Sequence, residues 1–189
     1  MGLTQTTAPA ALPVSVGEAK QHSRVSYTQE DNVVERMIEA ATTYCQDCTG
    51  RAFMRATYTQ TQNNFTSPIT IQRPPLSSVT SVTYIDTAGS VQTLAASSYT
   101  VVIDVEPGYI IEAFQNSWPA TRDVHNAVSV LYLAGYDNVE SIPSGYKQAI
   151  LLLVDHWINE RSPVVVGTVS NEVQLTIESL LSMNRLISV

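Results

Sequence analysis

At 189 residues the chain is long enough for one large domain, or a compact domain carrying a sizeable insertion, with a core that needs neither disulfides nor metal. Hydrophobic residues make up 44% and charged residues only 14%, against roughly 25% charged in ordinary soluble domains. Ser, Thr, Asn and Gln must then supply much of the polar surface, and part of that surface is expected to be covered in an assembly. The 10 Lys and Arg against 17 Asp and Glu give a net charge of -7, which argues against a tight grip on phosphate backbones.

In chain order, residues 1–13 are rich in Thr, Ala and Pro and predict an extended arm, disordered alone and ordered by a neighbour. The arm lacks a basic region followed by an apolar stretch, so no secretory signal is expected and synthesis in the cytoplasm follows. Ser15 to Glu18 form a capping box and predict a short helix to about His22. Thr28 to Asp31 repeat that signature. Val34, Met37, Ile38, Ala41, Tyr44, Cys45 and Cys48 then recur at helical spacing, with Gly50 as the stop.

From Phe53 to about Gly135 the period changes to alternating and β-branched runs. Strands are expected at 57–65, 69–72, 79–85, 99–103, 109–114 and 127–133, all antiparallel. Asp86 to Gly89 read as a hairpin turn, and Pro74-Pro75 and Pro107-Gly108 interrupt pairing. Pro143 opens a helix on which Ile150, Leu151, Val154, Trp157 and Ile158 form one apolar face that Leu152 and Leu153 widen almost around the cylinder. That helix should end at Arg161-Ser-Pro163. A loop with apolar Val165 and Val166, a candidate contact surface, precedes a last amphipathic helix from about Asn171 to Ile187. The longest apolar run, 149–154, is far short of the roughly 18 to 20 residues of a membrane span.

A search for chemistry returns nothing above background. His22, His125 and His156 fall on an early helix, in a loop and in the apolar helix, and the adjacent Asp155 and His156 point to different faces of one helix. Phosphate-binding glycine loops, nucleophile elbows, zinc-protease helices and calcium loops are absent. Asp104 and Glu106 near Glu112 are more simply solvated hairpin residues than a catalytic pair. The Cys45-x-x-Cys48 pair has no second pair or nearby His to complete a zinc site. It lies at a helix C-terminus, where the dipole opposes thiolate formation, so two reduced packing cysteines are expected. No cofactor, metal or catalytic residue is assigned.

Several segments stand out together: 13–20 (PVSVGEAK), 38–44 (IEAATTY) leading to Thr49-Gly50-Arg51, 72–76 (QRPPL) before 78–84 (SVTSVTY), 132–136 (YLAGY), and 143–161 with its KQAILLL core. In this order and spacing, over roughly residues 12–187, the chain resembles the head-tail connector, or adaptor, proteins of tailed bacteriophages that complete the head. The Cys pair is not part of that resemblance, and the final helix matches only loosely, through Leu180-Leu181 and Arg185.

The reading is an α+β fold. A helical core of two N-terminal helices, one long apolar helix and one C-terminal helix, at 14–51 and 140–189, follows the arm at 1–13 and carries an antiparallel β insertion at 52–139. The resemblance implies a structural virion protein of the neck, made in the host cytoplasm and not an enzyme. Twelve copies would form a ring joining the portal to a stopper or tail-completion protein, with genomic DNA passing through unbound and no membrane involved. Val165, Val166, Leu180, Leu181, Arg185 and Leu186 are the candidate portal or neighbour contacts, and Gly50, Arg51, Pro74 and Pro75 are structural turn residues. Rival readings are another neck part, such as a stopper or tail terminator, or a small enzyme with a dispersed site.

Overall fold

The computed structural model describes residues 1–26, 30–159 and 171–182, the last with the backbone alone at 171–173. The chain divides into two compact units: Met1–Ala10 with Arg55–Tyr136, and Ala11–Met54 with Asp137–Val189. Among the described residues, four α-helices and antiparallel sheets make it α+β, as expected.

The first unit is β apart from a short 3-10 turn at Ala96–Ser98. Its strands are β1 (Gly2–Thr7), β2 (Ala56–Gln62), β3 (Ile69–Thr70), β4 (Leu76–Ile85), β5 (Val91–Thr93), β6 (Tyr99–Val102), β7 (Tyr109–Glu112) and β8 (Val128–Ala134). They form a five-stranded sheet, ordered β1-β2-β8-β4-β5, and a three-stranded one, β3-β7-β6. Every pairing is antiparallel. The central strands β2 and β8 bury alternate residues, Ala56, Tyr58, Gln60 and Gln62 against Val128, Val130, Tyr132 and Ala134, the period of two that a pleated strand imposes. Tyr58 faces Tyr132 in register, their rings stacked at 5.8 Å.

Gln60 is fully buried between these rows. Its Nε2 donates to the Thr70 carbonyl at 2.9 Å and its Oε1 accepts from the Gln72 N–H at 2.9 Å. The Tyr132 hydroxyl donates to the Gln72 carbonyl, also at 2.9 Å. An interior amide is tolerated because its donor and acceptor both find partners, and here those bonds tie the 70–72 segment to the central sheet.

Two strands, β1 and β5, carry no strand signal in the sequence. Residues 2–7, expected as an arm ordered by a neighbour, pair along β2 of their own chain from Gly2↔Thr61 to Thr7↔Thr57. Only Leu3 of β1 is apolar and half-buried, and all three residues of β5 are exposed, so neither carries the alternation by which a strand is read. Between β4 and β5 the expected turn forms, with the Ser90 N–H donating to Asp86 Oδ1 at 2.9 Å and Gly89 at φ 93°. The Pro74-Pro75 segment separates the 69–72 run from β4, and the Pro75 carbonyl accepts from the Gly135 N–H at 2.9 Å. At Pro107-Gly108 a glycine is needed, because a Cβ on Gly108 would come within 2.9 Å of the Leu76 side chain.

The second unit is helical: α1 (Val16–His22), α2 (Asp31–Thr49), α3 (Ser144–Asn159) and α4 (Asn171–Ser182). The expected capping box at α1 is formed in both directions, Glu18 N–H to Ser15 Oγ and Ser15 N–H to Glu18. The second expected box, Thr28 to Asp31, begins outside the described residues; within them, Glu30 precedes α2 and its side chain makes no cap hydrogen bond. Lys20 Nζ instead reaches Asp31 Oδ1 at 2.7 Å and links α1 to the first turn of α2, where a carboxylate also suits the helix dipole.

Gly50 ends α2 in the left-handed region, φ 69°, and its N–H donates to the Gln46 carbonyl, the geometry that makes glycine the residue of choice past a helix end. Val34, Ile38, Ala41 and Cys45 of α2, Ala149, Ile150, Leu153 and Val154 of α3, and Ile177 and Leu181 of α4 are buried. The ring of Tyr146 stacks on Phe53 at 4.6 Å, 12° from parallel.

Candidate functional site

The groups that could perform chemistry are dispersed. His22 and His125 are exposed and belong to different units, and His156 is half-buried on α3 beside Asp155, whose carboxylate accepts from Asn159 Nδ2 at 3.1 Å. Asp104 and Glu106 sit exposed on the turn between β6 and β7. The hairpin register places Glu112 opposite Tyr99, at the other end of the ladder, where it accepts a hydrogen bond from Ser67 Oγ. Strand rise of about 3.3 Å per residue separates these carboxylates too far for a proton to pass between them. Among the described residues no group of three or more His, Cys, Asp and Glu could hold a metal ion.

The cysteines follow the same pattern. Cys45 is buried, and that desolvation, with a smaller contribution from the neighbouring Cys48, pushes its thiol up to about 12. A thiol held neutral in this way is a poor nucleophile and a poor metal ligand. Cys48 is half-buried and borders an open recess with Glu178, Leu181 and Ser182. Tyr44 is raised mainly by burial, and then by its hydrogen bond to Cys48.

Of the expected contact residues, Leu180 is half-buried and Leu181 is 3% exposed, facing the core of the helical unit. Val165, Val166, Arg185 and Leu186 lie outside the described residues. Of the turn residues, Gly50 caps α2, Arg51 is buried just beyond it, and Pro74 and Pro75 lead into β4.

The structure offers surfaces that residue-by-residue reading missed. Phe114 is 90% exposed on a turn just after β7, held by Ala113 N–H to the Ser98 carbonyl and Asn116 N–H to the Ala113 carbonyl. The sequence pattern places it in the 109–114 strand, but β7 ends at Glu112. Ile103 and Val105 are exposed on the β6–β7 turn, Val91 is 72% exposed on β5, and Leu175 is 66% exposed on α4. Large exposed apolar side chains near backbone edges are the raw material of protein contacts rather than of catalysis.

Comparison with known proteins agrees with a chain built around surfaces. No curated protein matches it. Solved structures do: the neck of an empty GTA particle computed with C6 symmetry, the virion of a native gene transfer agent (GTA) particle, and the neck of a native GTA particle computed with C12 symmetry. In each case the similarity covers 100% of this chain and 97% of the other at 21% identity, with TM-scores of 0.79, 0.80 and 0.78. The family model for head completion protein matches residues 14–178, so the chain belongs to the head completion protein family.

Proposed function

We propose that the protein is a connector subunit of a particle neck: copies form a ring between the portal and the next completion or tail protein, and the genome passes through its lumen. The reading is carried by the fold shared along the whole chain with components of GTA particles, among them a neck treated with C12 symmetry, in a chain of the head completion family. Dispersed titratable groups and a neutral buried thiol support work done by surfaces rather than by a catalytic centre. A net charge of -7 favours a lumen that repels DNA instead of holding it.

In this reading α3 packs on its own core through Tyr146, Ile150, Leu153 and Val154 and offers the half-buried Leu151, Leu152 and Trp157 to a ring neighbour. Portal contact is assigned to Val165, Val166, Leu180, Arg185 and Leu186, with Leu181 holding α4 in place from inside. Electron microscopy of the purified chain with and without portal protein tests this. Twelve-membered rings that form on the portal, and fail to dock when residues 171–189 are removed, are the expected result. A chain that stays monomeric and ignores the portal overturns it.

A further inference from the structure

The five-stranded sheet ends in two open edges of unlike sequence. Among the described residues, β1 (Gly2–Thr7, GLTQTT) at one end pairs only with β2, and β5 (Val91–Thr93, VQT) at the other pairs only with β4. Edge strands present unpaired N–H and C=O groups, and natural proteins guard them with charges, prolines or bulges. Neither edge here has a charged residue or a proline. The one irregularity in β1 lies between Gln5 and Thr7, leaving Gly2 to Gln5 regular. On β5 all three residues are exposed, and Val91 among them is an apolar β-former.

Strand parity decides what these edges fit. Every neighbouring pair in the sheet is antiparallel, and there are five strands, so β1 and β5 run in the same direction. A rotation about an axis near that direction carries one sheet onto the next without reversing its strands, and brings β5 of one copy beside β1 of another in parallel. Two different patches meeting head to tail is the contact that closes a ring, whereas an edge meeting its own copy makes a two-fold dimer and stops.

We propose that β1 of one copy pairs in parallel with β5 of the next, so that the five-stranded sheets join edge to edge around the ring. The proposal rests on the ring reading and names the joint. Because β5 offers three residues, each joint contributes few hydrogen bonds, and the assembly depends on closing the circle or on a template that gathers the copies.

Disulfide trapping of the full chain tests it. In a Cys48→Ser background, Thr4→Cys is combined in turn with Val91→Cys, Gln92→Cys and Thr93→Cys. Each variant is oxidised alone and with portal protein, then run on a non-reducing gel beside sedimentation of the same sample. The two edges of one sheet are four strand spacings apart, roughly 19 Å, so a bond within one chain is out of reach. A ladder of dimers, trimers and higher species is expected from at least one double variant, and monomers from every single variant. Rings in sedimentation with only monomers on the gel overturn the edge joint and leave the ring reading standing. Dimers from a single variant show a two-fold edge and overturn the joint, and monomers in both measurements, with portal present, overturn joint and ring together. The variant Thr4→Lys with Gln5→Lys keeps its far-ultraviolet spectrum and loses assembly at least tenfold if the joint is correct; unchanged assembly refutes it.

Discussion

The β unit and the helical unit hold themselves together by different means. The helices meet through apolar volume: Ile38, Ala41, Ile150, Leu153 and Ile177 are buried with the Phe53–Tyr146 stack among them. The β unit buries Gln60 within its central sheet and Gln62 at the end of β2, and both side chains have backbone partners: the Thr70 carbonyl and Gln72 N–H for Gln60, the Asn64 carbonyl for Gln62. Volume packing tolerates compensation between neighbours, whereas a buried amide accepts one arrangement only. An assembly part with exposed edges gains from the second kind of interior, since strands locked in register present their edges in one geometry.

Three experiments test this contrast, in order of expected effect. Tyr146→Ala removes a fully buried ring and leaves a void against Phe53. A loss of about 3–5 kcal/mol is expected, read from urea unfolding, and a loss under 1 kcal/mol would show that the helices repack around the gap. Gln60→Leu keeps the volume in the β unit but strands the Thr70 carbonyl and the Gln72 N–H. A cost of about 2 kcal/mol is expected, together with faster amide exchange at Gln72, and unchanged exchange there would mean that the 70–72 segment is held by something else.

The third and smallest effect is alkaline. Cys45 in the helical unit is raised to about 12, and Tyr132 in the β unit is raised as well, both first by burial. For a group raised in the folded state, stability is full below its unfolded value, about 8.5 for a thiol and about 10 for a phenol. It is lost as pH climbs toward the folded value, because only the unfolded chain releases the proton. Melting temperature should therefore fall from about pH 8.5 upward in the native chain, less steeply in Cys45→Ala, while Tyr132→Phe flattens only the part above about pH 10. Identical slopes in all three proteins would place the alkaline loss elsewhere.

Local chemistry made much of the fold legible. Ser15 with Glu18, the helical spacing from Val34 to Cys45, Gly50 as a left-handed stop, the Asp86–Gly89 turn and the alternation in β2 and β8 each act within a few residues, so a linear reading captures them. The strands β1 and β5 were not legible, because an edge strand held by backbone pairing need not carry a hydrophobic period. The alternating pattern carries the strand on to Phe114, whereas β7 ends two residues earlier, at Glu112, and leaves Phe114 exposed.

What the sequence determined by itself was the class of protein: a charge-poor α+β chain with no converging chemistry and an ordered set of motifs resembling phage connectors. The tertiary structure decided where such a chain is open. It paired residues 2–7 with β2, turned Leu181 inward, left Val91 and Phe114 outside, and gave the main sheet five strands with two unlike edges. Motifs depend on short-range geometry, which the residue order carries. Exposure and strand order depend on which distant segments pair, and those pairings form through backbone groups that every residue shares.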